Sequence, residues 1–510
     1  MTTASASATS YDQLVARMRE IGLLQSTQRT LSWDQETMMP RAGAGLRARQ
    51  LEQLASMVHA RFTDPRVGEL IGACEEDGSL LEDEIAAANV RELRRDYDKQ
   101  TRLPGDLVAE IARTSSQALQ AWKEARAQSD FGKFLPWLEK TFSLSRRKAE
   151  CLGVPEWGGE LYDALMDEYE PEMTAARTAE IFTPLRAFTV ELLEKVRSAP
   201  GKPDPSGVVI DFPIERQKEF SRRVLERMGF DFGAGRMDEA VHPFCEGPGP
   251  GDTRLTNRYR PDGWLDQLSS ATHEGGHGIY EQGVAKEAHF GLPMGEAVSL
   301  GIHESQSRMW ENQIARSLPF WEWAIGVARE VLGEKLRGVD AGTVYRVANV
   351  VEPHFIRVES DEVTYNLHIM LRFDLERAMI AGDLLPKDLP GVWNERMRKD
   401  LGLTVKEDRL GCLQDIHWSM GAVGYFATYS LGNIYAAQLW EAMGRAIPDR
   451  EAQISRGEFG GILGWLRERV HEHGRRYAPE DLCERATGSR LSSDALMRHL
   501  ESKVESVYGV

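Results

Sequence analysis

Apolar residues recur at helical spacing along most of the chain, and this pattern constrains the fold more than any other feature. The segments YDQLVARMREIGLLQSTQRTL, RARQLEQLASMVHARF and TAARTAEIFTPLRAFTVELLEKV place apolar side chains three and four residues apart, which lines one face of an α-helix. Alternating β-branched runs are few, and the candidate strands are VVIDF (208–212), EAVHPF (239–244) and TRLTNRY (253–259). The pattern predicts an all-α, predominantly helical fold with a small β-hairpin or three-stranded sheet.

No long linker divides the chain into separate units. The loop EGPGPGD (246–252) and the loop SAPGKPDPSG (198–207) are the longest stretches rich in glycine and proline. We therefore predict one continuous helical domain over residues 11–510. The polar start, MTTASASATS, predicts a disordered tail over residues 1–10.

Charge and composition narrow the class of protein. Lys and Arg number 62 against 79 Asp and Glu, which gives a formal net charge of −17, so nucleic acid and anionic membranes would be repelled. No stretch approaches the roughly 18 consecutive apolar residues of a membrane span. The five cysteines form no CxxC pair, and the N-terminus lacks the basic and apolar regions of a secretory signal. These features predict a soluble cytoplasmic protein that binds neither nucleic acid nor membranes.

The segment WLDQLSSATHEGGHGIYEQG combines an apolar helical stripe with an HExxH motif, His273-Glu274-Gly275-Gly276-His277. Residues i and i+4 share a helix face, so both imidazoles can bind one cation while Glu274 lies beside its water. The alternative is a pair of ordinary surface or core histidines. Glycine costs about 1 kcal/mol against alanine inside a helix, so the two glycines indicate that substrate or another backbone passes closely.

A catalytic zinc site needs three protein ligands and an open fourth position. The metzincin continuation HExxHxxGxxH is absent, because Tyr280 and Gly283 stand where it requires glycine and histidine. The candidate third ligands are Glu296 in GEAVSL and Glu304 in GIHESQSRMWEN, both expected on the next helix and about 12 Å apart. Spacing does not decide between them, and His303 is either a further ligand or a hydrogen-bonding histidine.

Six motifs occur in the order typical of one protein family. They are HPF (242–244), DTRLT (252–256), HEGGH (273–277), HES (303–305), IRVESDE (356–362) and GCLQDIHW (411–418). Together with LSWDQETMMP (31–40), they make the chain similar to the thermostable carboxypeptidase Taq family of metallocarboxypeptidases. Ser360 departs from the family pattern, which usually has alanine before Asp361.

The resemblance implies a two-lobed helical fold with a deep central groove, a homodimer, and one divalent metal ion per chain, commonly zinc with cobalt able to substitute. It also implies that Glu304 completes the metal site with His273 and His277. Glu296 would then lie in the groove without binding the metal. The expected reaction removes residues from peptides with a free C-terminus. Glu274 would act as the general base that takes a proton from water and passes it to the leaving amine.

The oxyanion of a tetrahedral intermediate needs a hydrogen-bond donor besides the metal. The segment SMGAVGYFATY offers Tyr425 as the first choice and Tyr429 as the second. The alternative for either residue is a tyrosine packed in the helical core. The resemblance favours His417 in QDIHW as a residue that steadies the oxyanion or the substrate backbone.

A carboxypeptidase must recognise a free carboxylate, to which a guanidinium offers two parallel hydrogen bonds. Arg357 in IRVESDE is the first candidate, with an ion pair to Glu359 or Asp361 as its structural alternative. Arg254 in DTRLT is a second candidate that would limit substrate length, and His242 would support the same loop.

Two other functions remain open. A zinc aminopeptidase or oligopeptidase would use the same HExxH chemistry, with Glu296 as the third ligand and an acidic clamp at the substrate terminus. A non-catalytic helical scaffold that binds peptides would hold no stoichiometric metal.

Overall fold

The structure is a computed structural model that describes residues 9–510. The predicted tail over residues 1–10 lies outside the described residues, apart from Thr9 and Ser10. Thr9 caps the first helix, since its hydroxyl accepts a hydrogen bond from the backbone N–H of Asp12 at 3.1 Å. In the described range the chain forms 21 α-helices and one three-stranded sheet, which confirms the predicted helical fold with a small sheet.

The helices follow one another through short loops and 3₁₀ turns. The first ten are α1 (Ser10–Thr37), α2 (Ala44–Phe62), α3 (Pro65–Glu75), α4 (Glu84–Arg102), α5 (Gly105–Gln128), α6 (Phe131–Leu152), α7 (Leu161–Met166), α8 (Ala175–Ser198), α9 (Ile214–Met228) and α10 (Trp264–Gly283). The others are α11 (Lys286–His289), α12 (Leu300–Arg308), α13 (Leu318–Leu332), α14 (Ala341–Ala348), α15 (Glu362–Ala381), α16 (Leu389–Leu401), α17 (Ala427–Ala446), α18 (Arg450–Ser455), α19 (Gly460–Arg469), α20 (Pro479–Thr487) and α21 (Asp494–Tyr508). A π-helical turn, Met309–Ala315, continues α12.

The sheet consists of β1 (Gly235–Glu239), β2 (Cys245–Gly249) and β3 (Asp252–Asn257). The central strand β3 runs parallel to β1 and antiparallel to β2, with a register shift between Glu246 and Gly249. The candidate strand at 253–259 is therefore confirmed over most of its length. The glycine- and proline-rich segment 246–252 is part of the β2–β3 hairpin and not only a loop.

The other two candidate strands are wrong. In 208–212 the carbonyl of Val208 accepts a hydrogen bond from the indole of Trp264 at 2.8 Å, and Phe212 N–H donates to the carbonyl of Pro261 at 2.9 Å. These hydrogen bonds are isolated, and the segment does not pair with a neighbouring strand. In 239–244 only Glu239 belongs to a strand, because the chain turns outward at Val241, which is 73% exposed, before Pro243 removes a backbone donor.

Two hydrophobic clusters underlie the helices. The larger one takes its buried residues from α5 through α21 and includes Trp264, Trp310 and Trp393. The smaller one lies mainly under α1, α3 and α4, and its buried members are Leu14, Met18, Ile21, Val67, Leu70, Ile71, Cys74, Val90, Leu93 and Leu292. Two clusters fit the two-lobed fold that the resemblance implies. Across residues 9–510, no helix is both long and apolar enough to cross a membrane.

Candidate active site

His273 and His277 on α10 converge with Glu304 on α12, and ligand atoms of the three side chains all lie within 4.8 Å of one another. Glu304 Oε2 lies 3.4 Å from His277 Nε2 and 3.8 Å from His273 Nε2. Two imidazoles and one carboxylate at this separation form the donor set of many catalytic zinc sites. The residues present therefore fit a divalent cation.

Two glycines allow the helices of this site to approach closely. A Cβ on Gly276 would lie 2.7 Å from the backbone oxygen of Gln306 and 2.7 Å from the Cα of Ser307. A Cβ on Gly432 of α17 would lie 2.6 Å from the Cγ of Glu304. Distances this short are not tolerated, so both positions require glycine. This confirms that another backbone passes Gly276, as the sequence indicated.

Glu296 is not on the helix that carries Glu304, which corrects the expectation that both share it. The residue follows the 3₁₀ turn Pro293–Gly295 in an extended conformation, and α12 begins only at Leu300, behind the cap residue Ser299. Its carboxylate lies 3.4 Å from the guanidinium of Arg29 on α1. Glu296 lines the cleft beside the metal ligands but is not one of the converging group.

Glu311 supports His273 from behind, and sequence reasoning missed it. Its Oε2 lies 3.0 Å from His273 Nδ1, while its Oε1 accepts hydrogen bonds from Ser269 Oγ and Arg316 Nη2, both at 2.9 Å. A carboxylate on the outer nitrogen of a ligating histidine fixes the ring and raises its basicity. The available signal was an acid seven residues after Glu304 (304 to 311), although the π-helical turn that directs it toward His273 is not visible in the sequence.

His303 supports the second histidine. Its Nδ1 lies 2.6 Å from His277 Nδ1, and its Nε2 lies 2.8 Å from Glu281 Oε1. Glu281 in turn pairs with Lys286. Of the two possibilities left open for His303, the geometry matches the hydrogen-bonding histidine and not the metal ligand.

Burial shapes the electrostatics of the site. Desolvation raises the pKa of Glu274 to about 7, although nearby His273 opposes the rise. Burial and the neighbouring His303 lower the pKa of His277 to about 3. Burial alone would raise the pKa of Glu304, but the Arg308 guanidinium and the histidines outweigh it and hold that pKa well below its usual range. At neutral pH His277 is therefore neutral and Glu304 charged, the forms that bind a cation.

The metal-binding group opens into a cleft of about 1190 Å³. One wall comes from the N-terminal helices, with Met18, Arg29 and Phe62 among the lining residues, and the other from α10, α12 and α17. Glu274 lines the cleft beside the metal ligands. A cleft of this size accommodates an extended peptide.

Tyr425 and Tyr429 both line this cleft, and their rings are 5.3 Å apart. The hydroxyl of Tyr429 lies 3.2 Å from His417 Nε2. His417 itself lies behind the cleft wall, where burial lowers its pKa to about 4 in spite of Asp415. The structure thus brings both predicted tyrosines to the site and places His417 one contact further away.

Arg357 is buried and paired, but not with the partners that the sequence suggested. Its Nε donates to Asp415 at 3.0 Å, and its Nη1 donates to the hydroxyl of Tyr365 at 2.9 Å. Asp361 instead caps α15, where it accepts from the backbone N–H of Val363 at 2.9 Å. The structural alternative, an ion pair with Glu359 or Asp361, is therefore wrong in its partner. The guanidinium lies 4.9 Å from the ring of Tyr429, which lines the cleft, but Arg357 itself is not among the described residues that line it.

The remaining predicted site residues lie away from the metal ligands. Arg254 on β3 pairs with Asp252 at 2.7 Å and covers the ring of Trp33 at 4.4 Å. His242 is exposed on the loop between β1 and β2. Neither residue is among the described residues that line the cleft.

Known proteins resemble this chain over almost its whole length. The model of the carboxypeptidase Taq (M32) metallopeptidase family matches residues 13–504. Thermostable carboxypeptidase 1 of Thermus thermophilus is 43% identical over 508 residues, which are 98% of this chain and 99% of that protein. Thermostable carboxypeptidase 1 of Pyrococcus furiosus is 38% identical over 499 residues, 96% of this chain and 97% of the relative.

Solved structures agree with these sequence matches. The crystal structure of an M32 carboxypeptidase from Deinococcus radiodurans superposes with a TM-score of 0.95 at 40% identity, and the match covers 98% of this chain and 100% of the other. The family match includes α10, α12 and the cleft between the two hydrophobic clusters. The chain therefore belongs to the carboxypeptidase Taq (M32) metallopeptidase family and is a metallocarboxypeptidase.

Proposed function

We propose that the enzyme releases residues one at a time from peptide C-termini, with Glu274 as the general base and a cation held by His273, His277 and Glu304. The observation that carries the proposal is the convergence of these three ligands within 4.8 Å at the wall of a cleft. We expect one zinc ion per chain, with cobalt able to substitute. Two imidazole nitrogens and an anionic carboxylate suit such an ion.

Glu274 is placed to move protons. The bound cation supplies positive charge that polarises the scissile carbonyl and acidifies water. Glu274 follows His273 directly on α10 and lines the same cleft, so its carboxylate can take a proton from the attacking water and return it to the leaving amine. Its raised pKa of about 7 keeps the protonated form accessible for the second step.

Tyr425 and Tyr429 provide the hydroxyl donors for the developing oxyanion. We assign Tyr425 first, because Tyr429 is already in contact with His417 at 3.2 Å. His417 then acts through Tyr429, whose hydroxyl it orients. A donor held in place before the reaction stabilises the new charge without reorganisation.

Arg357 is the proposed clamp for the substrate carboxylate. Asp415 and Tyr365 hold two of its nitrogens, and among the described residues its Nη2 donates no hydrogen bond. Arg254, with His242 on the adjoining loop, is the proposed limit on substrate length, acting from outside the residues that line the cleft. We also propose a cytoplasmic homodimer in which residues 11–510 form one domain.

One experiment tests metal, base and polarity together. The purified enzyme is analysed for metal and is incubated with a peptide supplied both free and as its C-terminal amide, with products followed by mass spectrometry. We expect stoichiometric zinc and stepwise shortening of the free peptide, lost on amidation and in the Glu274→Gln variant. Cleavage from the N-terminus or inside the peptide would contradict the polarity, and absence of both metal and turnover would favour the peptide-binding scaffold.

A further inference from the structure

A second cavity, of about 350 Å³, lies beside the N-terminal half of α10, whereas the C-terminal half of that helix lines the catalytic cleft. Its lining includes Trp264, Ser269, Arg316, Trp321 and Ser360. None of its lining residues lines the catalytic cleft within the described part of the chain. Its volume lies in the range of small-ligand sites and is far too small for a protein partner.

Arg316 gives this second cavity a positive group that is connected to the metal site. Its Nη2 donates to Ser269 Oγ at 3.0 Å and to Glu311 Oε1 at 2.9 Å. The other carboxylate oxygen of Glu311 lies 3.0 Å from His273 Nδ1. In residues 9–510 the Nε and Nη1 of Arg316 donate no hydrogen bond, so they are free to bind an anionic group.

Trp321 lines the same cavity. Its side chain is 1% exposed, and its indole N–H has no partner among the described residues. The indole of neighbouring Trp264, by contrast, donates to the carbonyl of Val208 at 2.8 Å. The Trp321 N–H is enclosed by protein, so this residue offers a ligand apolar contact and not a hydrogen bond.

The walls and the rim of the cavity have different chemistry. Val208, Leu268 and Val347 supply apolar surface. Glu352 and Glu359 stand exposed at the rim, and their carboxylates form no hydrogen bond or ion pair within the described residues. The other acids of the lining already have partners, since Asp262 and Asp266 pair with Arg260 and Asp361 caps α15. A ligand that satisfies the remaining groups needs a carboxylate for Arg316, an apolar body, and a cationic group for the rim.

We propose that the second cavity binds a free α-amino acid with an apolar side chain and thereby lowers turnover. The α-carboxylate bonds to the Nε and Nη1 of Arg316, the ammonium group faces Glu352 and Glu359, and the side chain packs on Trp321 and the valines. Such amino acids are the products that a carboxypeptidase releases. The proposal uses the carboxypeptidase activity only as the source of this ligand.

Of the described residues, only Glu311 lies between Arg316 and the metal ligand His273. A carboxylate on the Nε and Nη1 of Arg316 draws the guanidinium towards the second cavity and lengthens the hydrogen bond from its Nη2 to Glu311. Glu311 then holds His273 less firmly, which weakens the alignment of the metal site without obstructing the cleft. Inhibition from this cavity therefore lowers the maximal rate, whereas an amino acid in the cleft raises KM.

The test measures initial rates of peptide hydrolysis at several fixed concentrations of L-leucine. We expect a noncompetitive component in which the maximal rate falls as leucine rises. Leucinamide, which lacks the carboxylate, and N-acetyl-leucine, which lacks the ammonium group, should lose most of this component. Quenching or enhancement of tryptophan fluorescence by leucine in the metal-free enzyme gives a second readout that is independent of turnover.

Variants separate this cavity from the cleft. The double change Glu352→Gln and Glu359→Gln alters two exposed rim groups, and it should raise the noncompetitive inhibition constant about tenfold while basal kcat and KM stay unchanged. Ser360→Ala removes a lining hydroxyl and gives a smaller shift in the same direction. Glu322→Gln, an exposed change on α13 outside both cavities, is the matched control and should behave as wild type.

The results that overturn the proposal are distinct from failure of the proposed function. Purely competitive inhibition by leucine, or a noncompetitive constant that the rim variants leave unchanged, would show that no amino acid acts at the second cavity. Absence of C-terminal release in the same assay without leucine would instead contradict the proposed function. An effect of leucinamide equal to that of leucine would exclude Arg316 as the carboxylate partner.

Discussion

Glu311 joins the metal site to its surroundings, since Ser269, Arg316 and His273 all contact its carboxylate. We predict that Glu311→Gln weakens zinc binding about 10- to 100-fold, because the amide no longer stabilises the His273 ring by charge. Competition with a chelator of known affinity measures this change. Glu322→Gln serves as the control, and an unchanged zinc affinity would contradict the proposed positioning role.

Glu274 makes the reaction sensitive to pH. A general base works only when ionised, so kcat/KM rises with pH through the pKa of Glu274 and is lost as pH falls below it. Burial places that pKa near 7 without a cation, and the charge of a bound cation moves it lower. The pH profile of the zinc enzyme should therefore show an acid limb with its midpoint below 7.

The Glu274→Gln variant completes this test. Removal of the base should lower kcat by about 100-fold or more, while elemental analysis finds the same metal content as in the wild type. A flat pH profile between pH 4.5 and 7, or a Gln variant with full activity, would assign the proton transfer to another group.

At the residue scale, the sequence predicted the groups that form local patterns. His273, Glu274 and His277 follow from the spacing of one helix. Glu311 and Arg316 could not be predicted, because their contacts depend on the π-helical turn after α12. Arg357 was singled out, but its partner Asp415 comes from a segment 58 residues further along, which no local pattern indicates.

The metal site depends on the close contact between helices α10 and α12. We predict that Gly276→Ala destabilises the fold by about 1–3 kcal/mol, because its Cβ would meet the backbone of Gln306 and Ser307 at 2.7 Å. The displaced α12 would also carry Glu304 away from the histidines and lower zinc affinity. Denaturant unfolding and a zinc titration measure the two effects.

Gly326→Ala is the matched control for this change. Gly326 lies inside α13, and a Cβ there meets nothing within 4 Å. That variant should gain up to about 1 kcal/mol from helix propensity. If both alanine variants were equally stable, the close approach of the two helices would not be what requires glycine.

At the element scale, helices were easier to predict than strands. The predicted segment 264–283 coincides with α10, because the apolar residues of its stripe are the ones that the fold buries. The strands pair through backbone groups, and the hairpin of β2 and β3 contains Gly247, Pro248 and Gly249, residues that usually indicate a loop. A Cβ on Gly247 would clash with the carboxylate of Glu281, which His303 and Lys286 hold in place, so a tertiary contact favours glycine in this strand.

At the scale of the whole molecule, charged contacts join the two hydrophobic clusters beside the cleft. Asp167 follows α7 in the main body, is 3% exposed, and pairs with Arg95 and with Lys99 at 2.6 Å on α4. Arg475 also reaches α4, with 2.6 Å to Asp96. The family resemblance implied a two-lobed fold, but neither it nor the periodicity of single helices could predict which charges connect the two clusters.

We predict that Asp167→Asn destabilises the protein by about 3 kcal/mol, since removal of one partner of a buried ion pair leaves the other charges uncompensated. The loss should be uneven, because the smaller cluster under α1, α3 and α4 has few buried side chains of its own and opens first. Amide hydrogen exchange should therefore accelerate in α3 and α4 more than in α17. Asp98→Asn on α4 removes a partly exposed pair with Arg94 and should cost at most about 1 kcal/mol. Equal acceleration in all helices would instead mean that the two clusters unfold together as one cooperative unit.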